Sequence, residues 1–181
     1  MPKRLFIGLA LPESCRKSLA EIDPGIKGLR WVHPAQMHLT LSFLGDVSST
    51  AEDRLRAALP SVAVPPFFLP IRGVGAFGGN HPTVVWAGVG KGHPHLFALH
   101  KHIQDAVIHA GLEPDLKPFH PHVTIGRARN ISRQMLLPFL RHHEETEFGF
   151  YKVTGFNLYA SILSPEGATY TVEMEQEFQD K

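Results

Sequence analysis

The sequence predicts an α+β fold: a duplicated unit forms a bilobal, pseudo-twofold domain, with two antiparallel sheets flanking a central cleft and helices on the outside. Three observations predict it. The tetrapeptide His-x-Thr-x occurs twice, as His38-Leu39-Thr40-Leu41 and as His122-Val123-Thr124-Ile125, 84 residues apart. Around each copy the order strand, helix, motif strand, helix, strand repeats. No linker separates the halves, approximately 1–80 and 81–181, so residues 1–181 are predicted to form a single domain.

In the first half, apolar runs, helix-opening residues and turn signals mark five elements. The predicted elements are a strand at 4–11, a helix at 13–22, the motif strand at 37–44, a helix at 51–59 and a long strand with glycine interruptions at 67–77. Residues 31–34 are expected to be a short extended linker. Turns are expected at Asp23-Pro24-Gly25 and at 78–80, where proline and glycine cluster.

The second half repeats this order and adds a closing hairpin. Its predicted elements are a strand at 83–89, a helix at 95–110, the motif strand at 121–126, a short helix at 132–141, a long strand or bent hairpin arm at 148–163 and a closing strand at 168–175. The helix at 95–110 has the clearest periodicity, with apolar residues at Leu96, Leu99, Ile103 and Val107. A duplicated unit packs most simply about a pseudo-twofold axis, which places the two motif strands beside one cleft.

Composition excludes several classes of protein. The chain has 181 residues with 18 basic and 17 acidic side chains, and a net charge of +1 gives no bulk attraction to nucleic acid or membrane. Cys15 is the single cysteine, so no internal disulfide forms, and we expect a structural thiol. No apolar run reaches the ~18 residues of a membrane span, and the apolar N-terminus lacks a signal-peptide cleavage site. We therefore expect a cytoplasmic monomer with no membrane partner.

The paired motifs predict acid–base chemistry on a phosphate ester. Side chains alternate along a strand, so the histidine and threonine of each motif lie on one face. Histidine titrates near neutrality, and two histidines across a cleft can act as general base and general acid. Threonine hydroxyls beside them can donate hydrogen bonds to phosphoryl oxygens. This chemistry needs no cofactor, and although the chain has 12 histidines, none has a zinc-ligand spacing, so no metal is expected.

The motifs resemble those of the 2H phosphoesterase superfamily, given Phe43-Leu44-Gly45 after the first motif and Arg127 after the second. Within it, HLTLSFLG and FHPHVTIGRAR most resemble the RNA 2′,3′-cyclic phosphodiesterase family, also called the 2′-5′ RNA ligase family. The resemblance covers nearly the whole chain, including the opening RLFIGLALPE, Arg30-Trp31-Val32 and the late LYASILSPEGATY. The main departure is Gly126, where relatives often carry alanine.

This resemblance implies roles for five residues. His38 corresponds to the proton donor and His122 to the proton acceptor, although pseudo-symmetry lets the two exchange with substrate orientation. Thr40 and Thr124 are expected to hold phosphate oxygens, and Arg127 is expected to pair with phosphate at the mouth of the site. The implied reaction opens a 2′,3′-cyclic phosphate at an RNA 3′ end to a 2′-phosphate, with 2′-5′ ligation as its reversible counterpart.

Other residues have less specific expectations. A regular strand places Phe43 in the core, whereas a bulge makes it a surface on which a base can stack. Ser42 is expected on the face of His38. Trp31 is expected in the core, with stacking on a base as the alternative, and His120 is a candidate partner of His122. Basic residues that add positive potential near the cleft are Arg30, Lys3 and Arg4.

Two other functions remain open from the sequence. One is an RNA- or nucleotide-binding module that keeps the cleft but catalyses little, although the presence of both histidines and both threonines favours activity. The other is a phosphodiesterase for a small cyclic phosphate or cyclic nucleotide, such as ADP-ribose 1″,2″-cyclic phosphate. The near-neutral charge suits small substrates or short RNA ends better than long duplexes.

Overall fold

The structure is a computed structural model that describes residues 1–91 and 93–178. The described residues form four α-helices: α1 (Glu13–Glu21), α2 (Ser49–Ala58), α3 (Pro94–His109) and α4 (Arg133–His142). They also form ten strands: β1 (Lys3–Ala10), β2 (Leu29–Trp31), β3 (His38–Val47), β4 (Phe67–Arg72), β5 (Val74–Phe77), β6 (Val84–Gly88), β7 (His122–Ala128), β8 (Glu147–Val153), β9 (Gly155–Ser164) and β10 (Gly167–Glu177). None of these helices is long and apolar enough to cross a membrane.

The large sheet joins two halves at the motif strands. Its order is β10-β9-β1-β3-β7-β6-β5, with β2 also paired to β7, while β4 and β8 form a separate two-stranded sheet. The pairings between these strands are antiparallel, and β3 meets β7 at the single pair Leu39–Val123. The predicted α+β class with antiparallel sheets is confirmed. The two sheets expected on either side of the cleft are joined, among the described residues, by this one residue pair.

Strand pairing follows a pseudo-twofold relation between the chain halves. The order β1-α1-β3-α2-β4-β5 is repeated as β6-α3-β7-α4-β8-β9. The last strand of each copy pairs with the first strand of the other, β5 with β6 and β9 with β1, while β4 pairs with β8. Leu39 and Val123, which are equivalent motif positions, pair with each other. Neither chain half therefore builds its part of the sheet alone, and the division at about residue 80 stays a prediction.

The strand predicted over 67–77 is wrong as a continuous element. The chain breaks at Gly73, which has φ of +75°, and β4 and β5 on either side enter different sheets. A Cβ atom at Gly73 would lie 2.6 Å from the Glu144 carbonyl oxygen, so the tight turn needs glycine. The expected linker at 31–34 is also corrected, because Leu29–Trp31 forms strand β2 against β7.

The helices and the buried faces of the strands form one apolar core. The four apolar residues of α3 that carry the periodicity are fully buried, which confirms the prediction; they are Leu96, Leu99, Ile103 and Val107. Leu39 and Val123 are buried between the histidine and threonine of their motifs, so those polar side chains lie on the opposite face of each strand. Cys15 is buried, and this burial raises the pKa of its thiol to about 11, as expected for a structural cysteine.

Candidate active site

Both His-x-Thr-x motifs line the same cavity. Antiparallel pairing at Leu39–Val123 places the motif strands side by side, and the polar residues of both strands face one cavity of about 450 Å³. Within the described residues, its lining includes all five of the predicted site residues: His38, Thr40, His122, Thr124 and Arg127. The structure thus brings together two residue pairs that are 84 positions apart in the sequence.

Each motif strand carries a bulge at the same position. Where β1 pairs with β3, the register skips Leu41, and where β6 pairs with β7 it skips Ile125. Both skipped residues lie three positions after the motif histidine. A bulge inserts one residue into the pleat, so the side chains that follow it, up to any further shift of register, move to the other face of the strand. Residues five positions after each histidine therefore turn towards the cleft.

The bulge corrects two expectations about β3. Phe43 is 62% exposed and lines the cavity instead of packing in the core, which is the bulged alternative. Ser42 was expected on the face of His38, but it is only 2% exposed and accepts a hydrogen bond from Gln104 Nε2 of α3 at 3.1 Å. The equivalent bulge in β7 is what brings Arg127 to the cavity, since regular alternation would place it on the opposite face from His122.

Backbone carbonyls fix the tautomer of both histidines. His38 Nδ1 lies 2.8 Å from the Gln36 carbonyl oxygen, and His122 Nδ1 lies 2.6 Å from that of His120. A carbonyl oxygen only accepts, so Nδ1 must carry the hydrogen in each ring. In the neutral form, Nε2 is then the nitrogen able to take a proton. Thr40 Oγ1 lies 3.0 Å from Nε2 of His38 and donates to it when that ring is neutral.

Burial favours the neutral form of both imidazoles. Desolvation is the main cause that lowers the pKa of His38 and of His122 below the usual value, and the carbonyl hydrogen bonds partly oppose it. The pKa of His38 is further lowered by the positive charges of His122 and Arg127, and that of His122 by His120. A bound anion would act in the opposite direction by favouring the imidazolium form.

Aromatic side chains form the walls around the two histidines. The ring of His38 lies 4.7 Å from that of Phe6 and 5.0 Å from that of Tyr170, measured between centroids. The ring of His122 lies 5.0 Å from Phe77, edge-on. Tyr170 was missed in the sequence because it lies 132 residues beyond His38 on β10, and only the pairing of β10 through β9 and β1 brings it to the cleft.

Three further residues have contacts that differ from the expectations. His120 does partner His122, but through its backbone carbonyl, while its ring packs against Phe77 and Trp86. Trp31 is half-buried, donates from Nε1 to the Leu19 carbonyl and also lines the cavity, so it combines packing with access to the cleft. Gln36 had no expected role, yet its carbonyl holds His38 as that of His120 holds His122.

The basic residues expected near the cleft divide into two groups. Arg4 and Arg30 line the cavity, whereas Lys3 pairs with Glu52 and Glu173. In the part of the chain that the structure describes, no three His, Cys, Asp or Glu side chains cluster closely enough to hold a metal ion.

Comparison with known proteins gives a consistent result. A family model described as the 2′-5′ RNA ligase superfamily matches residues 12–159. A protein of Archaeoglobus fulgidus is 33% identical over 171 residues, covering 92% of this chain and 96% of its own, and one of Aquifex aeolicus is 33% identical over 180 residues, covering 95% of each. Both are named RNA 2′,3′-cyclic phosphodiesterase.

Solved structures agree in fold over nearly the whole length. The crystal structure of E. coli LigT complexed with 3′-AMP superposes with a TM-score of 0.81 at 26% identity, covering 99% of this chain and 100% of that one. The crystal structure of TT0787 of Thermus thermophilus gives a TM-score of 0.81 at 28% identity, covering 97% of both chains. The relatives thus share the complete architecture and not only the motif strands.

Proposed function

Because this chain belongs to the 2′-5′ RNA ligase superfamily, we propose that it is an RNA 2′,3′-cyclic phosphodiesterase that opens cyclic phosphate ends to 2′-phosphomonoesters. One observation carries the proposal beyond the family: His38 and His122 line the same cavity, and each holds its Nδ1 hydrogen on a backbone carbonyl. Two histidines with defined tautomers are what proton transfer to and from a phosphate ester requires.

The proposed reaction uses one histidine for each proton. Neutral His122 takes a proton from water at Nε2 while the water oxygen forms a bond to phosphorus. The bond between phosphorus and the 3′ oxygen breaks, and protonated His38 gives its Nε2 proton to that oxygen. The product carries a 2′-phosphate and a 3′-hydroxyl. Afterwards His122 is protonated and His38 is neutral, and exchange of one proton with solvent restores the starting state.

Substrate binding is itself what prepares His38 to act as the acid. Its pKa in the free protein is lowered by burial and by the charges of His122 and Arg127, so little imidazolium exists at neutral pH. The negative charge of a bound cyclic phosphate raises that pKa and protonates Nε2. The protonated ring no longer accepts a hydrogen bond from Thr40, whose hydroxyl hydrogen then turns to a phosphoryl oxygen. Thr124 and Arg127 bind the other non-bridging oxygen and stabilise its charge.

Ligation follows from the same arrangement with a different nucleophile. When the 5′-hydroxyl of a second RNA replaces water, His122 takes its proton and the phosphorus forms a 2′-5′ linkage while the bond to the 3′ oxygen breaks. The reverse reaction exchanges the roles of the two histidines, as microscopic reversibility requires. The near-twofold placement of His38 and His122 suits such an exchange.

The test is a product analysis in the presence of a chelator. The protein is incubated with EDTA and a short RNA ending in a 2′,3′-cyclic phosphate, and phosphorus NMR identifies the monoester. We expect a 2′-phosphate as the product and full activity after chelation. His109→Ala, which changes an exposed histidine on α3, is the matched control and should behave as wild type. A 3′-phosphate product would contradict the proposed 2′-phosphomonoester. Activity that returns only with added zinc or manganese would contradict the two-histidine mechanism.

A further inference from the structure

Two arginines lie directly opposite each other at one end of the cavity. Arg30 of β2 and Arg127 of β7 are partners in the antiparallel register, so their side chains share a face, and both line the cavity that holds His38. Like charges placed opposite each other on neighbouring strands are destabilising unless a counter-charge lies near. Among the residues the structure describes, neither guanidinium has a carboxylate within salt-bridge distance.

The basic surface continues past the site of the scissile phosphate. Arg30 and Arg127 also line an adjoining cavity of about 610 Å³, together with Arg129. The described residues around this second cavity are otherwise glycine, leucine, threonine and alanine, and none is acidic. Within residues 1–91 and 93–178, its three exposed arginines have no carboxylate within salt-bridge distance, in a chain whose net charge is only +1. Such a cluster is suited to an extended anionic ligand.

Antiparallel geometry separates the tasks of the two arginines. β3 and β7 run in opposite directions past the Leu39–Val123 pair, so Arg127, which follows His122 along β7, lies at the end of the cleft where His38 stands. The charge of Arg127 accordingly lowers the pKa of His38. Arg127 is therefore placed to meet the phosphate that reacts at the histidines. Arg30 lies on β2, which pairs with the same edge of β7 as β3 does, and a strand spacing of about 5 Å separates its backbone from that of Arg127.

We propose that Arg30 and Arg129 bind the phosphodiester on the 5′ side of the terminal nucleotide, so that the enzyme selects RNA ends of two or more nucleotides over mononucleotide cyclic phosphates. This inference rests on the proposed function. A cyclic phosphate carries one negative charge, which Arg127 matches, and the remaining arginines need a second anion. In an RNA strand that anion is the preceding internucleotide phosphate. Guanidinium groups bind such phosphates through paired hydrogen bonds.

The experiment compares three substrates that differ in this one charge. They are a nucleoside 2′,3′-cyclic phosphate, the corresponding dinucleotide, and the same dinucleotide with an uncharged methylphosphonate linkage. One charge-assisted hydrogen bond contributes about 1.5–3 kcal/mol, so kcat/KM should be on the order of 10-fold or more higher for the charged dinucleotide than for the other two. Arg30→Gln should lower this ratio most, and Arg129→Gln less.

The matched control is Arg141→Gln, because Arg141 is an exposed arginine of α4 that lines neither cavity. Its charge change equals that of Arg30→Gln, so the ratio should stay at the wild-type value. Salt adds a second measurement. The logarithmic salt dependence of KM should be steeper for the charged dinucleotide than for the methylphosphonate by about 0.7, the value for one phosphate of a single strand. Arg30→Gln should remove this difference.

Different results would contradict different conclusions. If none of the three substrates is opened, the proposed function itself is wrong. If all three are opened with equal kcat/KM, the function stands and the second phosphate subsite does not. A preference that survives in the methylphosphonate dinucleotide would assign selectivity to the second base or sugar. A fall in the ratio with Arg141→Gln as large as with Arg30→Gln would assign it to overall charge, and either result overturns the subsite.

Discussion

The two His-x-Thr-x strands have the same backbone arrangement around the histidine and differ in the neighbouring side chains. In both, the histidine Nδ1 donates to the carbonyl two residues earlier, and a bulge follows three residues later. At the second position after the bulged residue, β3 has Phe43 and β7 has Arg127. The accepting carbonyl belongs to Gln36 just before β3 and to His120 just before β7.

Under the proposed function, the shared and the different features of the two strands have different tasks. Moving two protons requires two imidazoles held in the same way, and the backbone holds both. Binding an asymmetric substrate requires different neighbours, and the side chains supply them. One end of the cleft has an aromatic surface at Phe43, and the other has the charge of Arg127. The proposed function therefore places a symmetric pair of imidazoles within an asymmetric cleft.

The largest expected effect is the loss of either histidine. His38→Ala and His122→Ala should each lower kcat by about 100-fold or more, which is the usual contribution of a positioned acid or base. The double variant should lose much less than the product of the two, because the pair acts as a unit. Steady-state kinetics on an RNA cyclic phosphate measures both. Near-wild-type turnover in either single variant would remove that histidine from the mechanism.

Substitution at the two equivalent positions after the bulges should give unequal losses. Arg127→Ala removes a charge-assisted contact to phosphate and should lower kcat/KM by about 10- to 100-fold. Arg127→Lys should recover only part, since an ammonium cannot make the planar two-point contact. Phe43→Ala should raise KM by a smaller factor with little change in kcat. Equal effects of Arg127→Ala and Phe43→Ala on kcat would mean that the cleft ends are not chemically distinct.

The pH dependence should differ between free enzyme and complex. Both histidines have pKa values below 6.5 in the free protein, so the bell-shaped profile of kcat/KM should be centred below pH 6.5. Above the higher pKa, loss of the acid's proton should reduce kcat/KM tenfold per pH unit. A bound phosphate anion raises these pKa values, so the optimum of kcat should lie at higher pH. Identical pH optima for kcat and kcat/KM would contradict the proposal that the bound phosphate raises the pKa of His38.

A smaller effect is expected from the residues that supply the carbonyls. The side-chain amide of Gln36 donates to the Ala168 carbonyl on β10, whereas the ring of His120 only packs against Phe77 and Trp86. Gln36→Ala should loosen the carbonyl that holds His38 and lower kcat about 5-fold, the scale of one hydrogen bond. Because the hydrogen bond to that carbonyl raises the pKa of His38, the pKa of His38 should be lower in Gln36→Ala than in the wild type.

The matched comparison for that variant is His120→Ala. The His120 side chain makes packing contacts but does not hold its own backbone segment by a hydrogen bond, so kcat should change less than in Gln36→Ala. Nitrogen NMR of labelled histidine reports the tautomer and pKa of both rings. An unchanged His38 signal in Gln36→Ala would show that the Gln36 side chain has no part in positioning the ring.

The smallest effect is expected at Gly126. A Cβ atom there would lie 3.0 Å from Leu29 Cδ1 and 3.1 Å from Trp31 Cε3, and these side chains can shift by a few tenths of an ångström. Gly126→Ala should change the free energy of unfolding by less than about 1 kcal/mol. Gly8→Ala should cost about 1–3 kcal/mol, because its Cβ would lie 2.8 Å from the Leu39 backbone oxygen. Urea unfolding measures both, and equal losses would contradict this difference.

Local sequence patterns predicted the elements well. Helix-opening residues, turn signals and, for α3, apolar spacing located the four α-helices of the described residues, and the repeated motif placed two histidines and two threonines on strands. These signals are local, because side-chain direction follows from the period of a helix or a strand. The same rule failed for Phe43 and Ser42, since a single bulged residue reverses the faces of the residues that follow it. Nothing in HLTLSFLG marks Leu41 as the residue that leaves the register.

The sequence by itself determined the α+β class, the duplication and the pairing of imidazole with hydroxyl on each motif strand. Only the tertiary structure decided that β5 and β9 each pair with the first strand of the other chain half. It also decided that Phe43 and Arg127 turn into the cleft, and that Arg30 pairs with Arg127 across β2 and β7. The physical reason is the range of the interactions. Strand periodicity acts over a few residues, whereas partner choice and register depend on hydrogen bonds and packing between segments far apart in the chain.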